Sequence, residues 1–156
     1  MLDATDQAIL IVLQQHARIS NKELAARIGL APSSCLERVR RLQHRGVLTG
    51  FHAEVDPKAL GIHVQAIVAV RLSRHTIDHV VTFREYALSL PEVIRLSHVS
   101  GRIDFLVHVV VRDMEHLRTV ALEAFSTRPE VDRIETNLIF EHSESHGLPI
   151  FIDADD

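Results

Sequence analysis

The sequence predicts an α+β protein, a small N-terminal (winged) helix-turn-helix head followed by a ferredoxin-like βαββαβ domain. Three observations point there. The first 46 residues contain helix signals divided by a tight glycine turn. Beyond about residue 60, apolar residues begin to alternate as in strands. From there the elements read strand, helix, strand, strand, helix, strand.

In the head, Asp3 is a good N-cap and Asp6 falls in the first turn after it. Ile9, Leu10 and Leu13 recur at helical spacing, so a first helix is expected over about 4–16. Ser20 with Glu23 forms a capping box for a second helix, Leu24 and Ile28 share one side, and Gly29 ends it. Pro32 suits the first position of a third helix that runs to about Arg45 and closes at Gly46. The stretch VLTGFHAEVDPKALG then reads as a short strand or wing and a connector punctuated by Pro57 and Gly61.

In the second domain, HVQAIVAVRLS is a strand with Val64, Ala66, Val68, Val70 and Leu72 on one face. A helix follows, capped by Thr76 and ended before Pro91. VIRLSHVS and DFLVHVVVR are strands joined by the GRI turn, DMEHLRTVALEAFST is an Asp-capped helix, and VDRIETNLIFEH is the last strand. The two helices can cover one sheet face only. The strands are apolar on both, as Val107, Val109 and Val111 against Leu106 and Val110 show. An uncovered apolar face predicts a partner sheet, most simply from a second copy. The expected divisions are 1–50 for the head, 51–62 for the strand or linker, 63–145 for the ferredoxin-like domain and 146–156 for a tail.

Charge divides the same way. Residues 1–50 hold seven Lys or Arg against four Asp or Glu, whereas residues 51–156 hold ten against seventeen. A basic head on an acidic body confines any nucleic-acid contact to the head. The single cysteine, Cys35, excludes an internal disulfide and fits a reducing compartment. No stretch has the run of about 18 apolar residues needed to span a bilayer. A cytoplasmic, nucleoid-associated protein with no membrane partner is expected.

Residues 29–46, GLAPSSCLERVRRLQHRG, carry four arginines. At about 100° per residue, Cys35, Val39 and Leu42 cluster on one side and would pack on the first two helices. The opposite side carries Ser33, Glu37, Arg40 and Arg41, with Ser34 and Arg38 on its shoulder. Such a face is what a helix-turn-helix offers to the major groove of double-stranded DNA. Short hydroxyls allow close backbone approach, and arginine forks suit guanine edges or phosphates. Glu37 could accept from cytosine N4, or could steady Arg41 through an i,i+4 pair. A basic helix in isolation is more often a solvated face, but the capped helix and glycine turn before it supply the platform a recognition helix needs.

The segment ISNKELAARIGLAPSSCLERVRRL, followed by GVLTGF, closely resembles the N-terminal half of the Lrp/AsnC family of bacterial and archaeal regulators. The rest of the chain is similar to that family's effector-binding and oligomerisation domain in order and length. The resemblance implies a sequence-specific transcription factor, not an enzyme, that dimerises, often as a tetramer of dimers, and responds to a small-molecule amino acid. No cofactor and no metal are expected.

The resemblance also points to the effector site. Ser100, Gly101 and Asp104 in HVSGRIDFLV match a Gly-x-x-Asp turn that lies near the family's effector pocket. The turn's free amides could receive a carboxylate, and Asp104 could pair with an ammonium group. Thr136 matches the second threonine of a Thr-x-Thr pattern whose first position is Ile134 here. Arg102 stands where relatives often have Asp, which could favour an extra acidic group on the ligand or a contact with a neighbouring subunit. A plain hairpin turn with an Asp satisfying local amides is the other reading.

Eleven histidines invite a metal reading, with His75 and His79, and His142 and His146, at i,i+4 spacing. No cysteine cluster or nearby carboxylate completes either pair, so surface histidines are expected. Two further functions stay open: an enzyme resembling the sirohaem decarboxylases on the same scaffold, and a DNA-packaging protein of low specificity.

Overall fold

The computed structural model describes residues 2–143 and 147–152. The chain divides into two compact units: residues up to Glu54 with the described residues of 143–152, and Val55–His142.

The head is built from α1 (Ala4–Gln15), α2 (Asn21–Ile28) and α3 (Pro32–His44). Asp3 caps α1 by accepting from the Asp6 amide at 2.8 Å. Ser20 and Glu23 form the capping box of α2, and Gly29, at φ 71°, supplies the left-handed residue that lets the chain leave it. Pro32 opens α3 at a position where an amide would have no intrahelical partner anyway. Ile9, Leu13, Leu24, Ala25, Cys35 and Leu42 form the head's core, with Val39 packed against it. Burial pushes the Cys35 thiol pKa up, in keeping with a small core residue rather than a reactive thiol. Gln14 exchanges side-chain hydrogen bonds with the backbone of Leu148, so part of the C-terminal tail lies against α1.

The expected wing is not formed. Residues 47–56 contain no strand. The Val47 and Leu48 amides both return to the Leu42 carbonyl, at 3.0 and 3.1 Å, and close α3 instead. A strand exists only where a neighbour completes its ladder, and among the described residues no segment does so there. Asp56 caps a short 3₁₀ turn, Pro57–Leu60.

The second unit contains β1 (Val64–Leu72), α4 (Ile77–Ser89), β2 (Val93–His98), β3 (Phe105–Val111), α5 (Met114–Thr119) and β4 (Val131–Leu138). The sheet order is β2-β3-β1-β4, and every neighbouring pair is antiparallel. Val68 of β1 stands opposite Val107 of β3 and Thr136 of β4. Ala66, Val68, Val70 and Leu72 join Phe105, Val107, Val109 and Val111 on the core side, under Phe83, Leu117 and Phe125. The Phe83 ring lies 4.9 Å from Phe105 and 6.1 Å from Phe125. Such tilted pairs add about 0.5–1.5 kcal/mol beyond the area they bury.

Three features differ from expectation. The second helix of this unit does not stay α-helical: Val120–Ser126 continues α5 as a π-helix. Residues five apart on an α-helix point about 140° from one another. The wider i→i+5 winding brings Val120 and Phe125 to one side, where both are buried. The last strand ends at Leu138, short of the expected His142. The face away from the helices is also not uniformly open, since His108 and Val110 on β3 are buried there. His108 is held by Gln65 at 3.0 Å, and the His142 ring lies 6.0 Å away. Among the described residues no helix is long and apolar enough to cross a membrane.

Candidate nucleic-acid interface and effector cleft

Along α3 the outward side chains Ser33, Ser34, Glu37, Arg40 and Arg41 are exposed, and Arg38 is half-buried. The residue before the helix, Ala31, provides no side-chain cap. With proline at the first position, the amides of Ser33 and Ser34 are the ones left over at the positive end of the helix dipole, and they suit an anionic group. The Asn21 side-chain amide donates to the Pro32 carbonyl at 2.8 Å, fixing the start of α3 against the start of α2.

Arg38 and Arg41 do not simply project outward. Arg38 Nη1 lies 2.6 Å from Asp3 Oδ2 and 2.8 Å from Asp6 Oδ1, while Arg41 Nη2 donates to both Asp6 oxygens at 3.0 Å. Asp6 is 1% exposed, so two guanidinium groups surround a buried carboxylate at the start of α1. The hydrogen bond from Arg38 holds the Asp3 carboxyl below its ordinary pKa, helped by the Asp6 amide. The two aspartates in turn raise Arg38. Among the described residues no ion pair joins Glu37 to Arg41, whose fork goes to Asp6 instead. The steadying role considered for Glu37 therefore belongs to Asp6, a residue read from sequence only as helix-start charge.

In the second unit, Ser100 and Arg102 are exposed on the β2–β3 turn, and Gly101 at φ 119° adopts a backbone that other residues rarely reach. Asp104 is 3% exposed and already engaged: Oδ2 accepts from the Leu72 amide at 2.7 Å, and Oδ1 lies 2.7 Å from His75 Nδ1. The local-amide reading of this aspartate is thus the one the geometry displays. Thr136 shares a sheet face with Val68, its register partner, away from the turn. Arg102 lines an open cleft of about 300 Å³ with Arg71, Arg133, Ile134 and Glu135, and Ala69 forms its floor. The structure brings Arg102 to two arginines missed from the sequence, and not to Thr136 or Asp104. Their signal was slight: Arg71 interrupts the apolar run of β1, and only the register places Arg133 opposite it.

His75 precedes α4, so the i,i+4 relation with His79 is not one of two side chains on a single helix. His146 lies outside the described residues, and the pairing with His142 with it.

Comparison with known proteins agrees with this architecture. Residues 2–43 match the AsnC-type helix-turn-helix domain, and residues 65–148 match the Lrp/AsnC ligand binding domain. The chain is 40% identical over 141 residues to the HTH-type transcriptional regulator AldR of Mycolicibacterium smegmatis, covering 90% of this chain and 82% of that one. It is 36% identical over 150 residues to the leucine-responsive regulatory protein of Escherichia coli, covering 96% and 92%. The solved structure of a Neisseria meningitidis transcriptional regulator in complex with L-methionine superposes with a TM-score of 0.88 at 28% identity, covering 96% of this chain and 97% of that one. Helix-turn-helix head, ferredoxin-like sheet and near full-length similarity converge, and the chain belongs to the Lrp/AsnC family of transcriptional regulators.

Proposed function

We propose that the chain regulates transcription by placing α3 in the major groove, with binding or assembly modulated by an amino acid at the second domain. The observation that carries this is the exposed N-terminal face of α3, with Ser33, Ser34, Glu37 and Arg40 free beside uncapped amides. Ser33 and Ser34 approach phosphate or base edges, Arg40 supplies the open fork, and Glu37 accepts from a base. Arg38 and Arg41 hold α3 on α1 through Asp6, and their remaining nitrogens reach the DNA backbone. A dimer sets two such helices about 34 Å apart on successive grooves. Assembly as a tetramer of dimers in the cytoplasm adds weak contacts along the nucleoid DNA.

The effector reading draws support from the neighbouring regulator solved with L-methionine and from Arg102 lining a cleft beside the β2–β3 turn. Ser100 and Gly101 shape that turn, while Asp104 holds it to Leu72. Bound effector shifts the balance between assemblies through its different affinity for each. The test is a DNA titration of the full chain at fixed salt, on its own promoter and on unrelated DNA, with an amino-acid thermal-shift screen. The expected result is strong preference for the promoter, altered by at least one amino acid. Equal affinity for both DNAs would instead make it a packaging protein.

A further inference from the structure

We propose that α1 carries a docking face for the chain's own tail, residues 147–152, and that the docked tail is a detachable strap that lowers the head's affinity for DNA. This rests on the reading of α3 as the DNA-contacting helix and adds a control on it.

Gln7, Ile11 and Gln14 recur at spacings of four and three, so they share one side of α1. That side is turned away from Ile9 and Leu13, which belong to the head's core. It is a surface of the head, not of the sheet face that a second copy is expected to cover. The Gln14 side chain donates to the Leu148 carbonyl at 3.4 Å and accepts from the Leu148 amide. Nearer the start of α1, Gln7 Nε2 donates to the Ile152 carbonyl at 3.4 Å. The tail therefore runs antiparallel to α1, and the two glutamines engage its backbone as a neighbouring strand would. The spans match, since seven helical residues rise about 10 Å and four extended ones about 13 Å.

The sequence GLPIFI suits this course. Gly147, at φ 94°, turns the chain beside Gln14 in a conformation that favours glycine. Pro149 has no amide to leave unpaired and biases Leu148 toward extended backbone, so less freedom is lost on docking. The hold is still light. Within residues 147–152 only Ile150 is half-buried, while Leu148 and Phe151 are 80% and 91% exposed. Exposed hydrogen bonds each add little, so the strap can let go. In sequence it leads directly into Asp153, Asp155 and Asp156. Docking thus ties an acidic run to a head that holds seven Lys or Arg against four Asp or Glu, which opposes the approach of phosphates.

Hydrogen exchange and a promoter gel shift on the full chain, at fixed low salt, test this. Gln7→Ala combined with Gln14→Ala keeps good helix formers on α1, and Gly147→Val strains the strap without touching α1. Both variants should speed exchange at the Leu148 amide at least about tenfold. Both should also tighten promoter binding at least about threefold, a gain that fades as salt is raised. Replacing Asp153, Asp155 and Asp156 by Asn should give the same gain while the Leu148 amide stays protected. Wild-type exchange at Leu148 in both undocking variants overturns the strap. A released tail with unchanged or weaker promoter binding overturns its effect on DNA. Exchange is measured without DNA, so a chain with no promoter preference removes the regulator reading while exchange still decides on docking.

Discussion

Arg38 and Arg41 of the head and Arg71 and Arg133 of the sheet are surface arginines in opposite electrostatic circumstances. The first pair closes around Asp6, at 2.8 and 3.0 Å, with Asp3 beside them. The second pair faces itself across two strands, with one loose contact to Asp132. The difference separates two uses of the same residue. Where the chain supplies the counter-charge, arginine fixes one helix on another and is partly spent before any ligand arrives. Where like charges face each other across adjacent strands, arginine keeps a charge that its own strands answer only loosely.

The bluntest way to probe the sheet side is its core. Phe83→Ala should destabilise that unit by about 3–5 kcal/mol in urea unfolding, because a fully buried ring packed on Phe105 and Phe125 leaves a cavity. On the head side, Asp6→Asn keeps the shape but removes the charge that Arg38 and Arg41 share. A loss of about 1–3 kcal/mol is expected by the same measurement. A neutral result would mean that those arginines are already free for DNA. Arg133→Gln should act with the opposite sign. Relieving the cross-strand repulsion should raise the melting stability of the ligand-free protein by up to about 1 kcal/mol, and a lower stability would contradict the unpaired reading.

The smallest effect is on pH dependence. The folded-state pKa of Asp3 lies below its reference of 3.8, chiefly through Arg38. A depressed carboxylate favours the folded state fully above 3.8, and that contribution is lost as pH falls through the lower folded value. The side chain is about half exposed, so the gain is screened and modest. The stability difference between wild type and Asp3→Asn should therefore shrink on acidification below about pH 4. A difference that stays constant there would remove Asp3 from the network.

What could be read from sequence was what neighbouring residues decide. Asp3, the Ser20–Glu23 box, Gly29 and Pro32 act within one turn of their own helix, and each stands where its chemistry predicts. The alternation in β1 likewise revealed which side of the strand is core. The pairing of Arg41 with Asp6 spans 35 positions and follows from how α1 crosses α3, which local pattern does not encode. The π-helical turn answers a packing demand made by the sheet on Val120 and Phe125. The missing wing shows the limit from the other side, since strand-like residues at 47–56 lack a ladder partner among the described residues. For the candidate effector site, the turn at Gly101 was visible in sequence, while the meeting of Arg133 with Arg71 needed the register of β1 and β4.

In the proposed mode of binding, the outward, N-terminal face of α3 reads DNA while Arg38 and Arg41 mainly hold that helix in place. A promoter gel-shift titration of the full chain carrying Arg40→Ala and Ser34→Glu, at fixed salt, tests it most directly. These side chains are exposed and outside the Asp6 network, so unfolding should not change. The predicted result is at least about tenfold weaker promoter binding with a shallower salt dependence. Wild-type promoter affinity in that variant would contradict it.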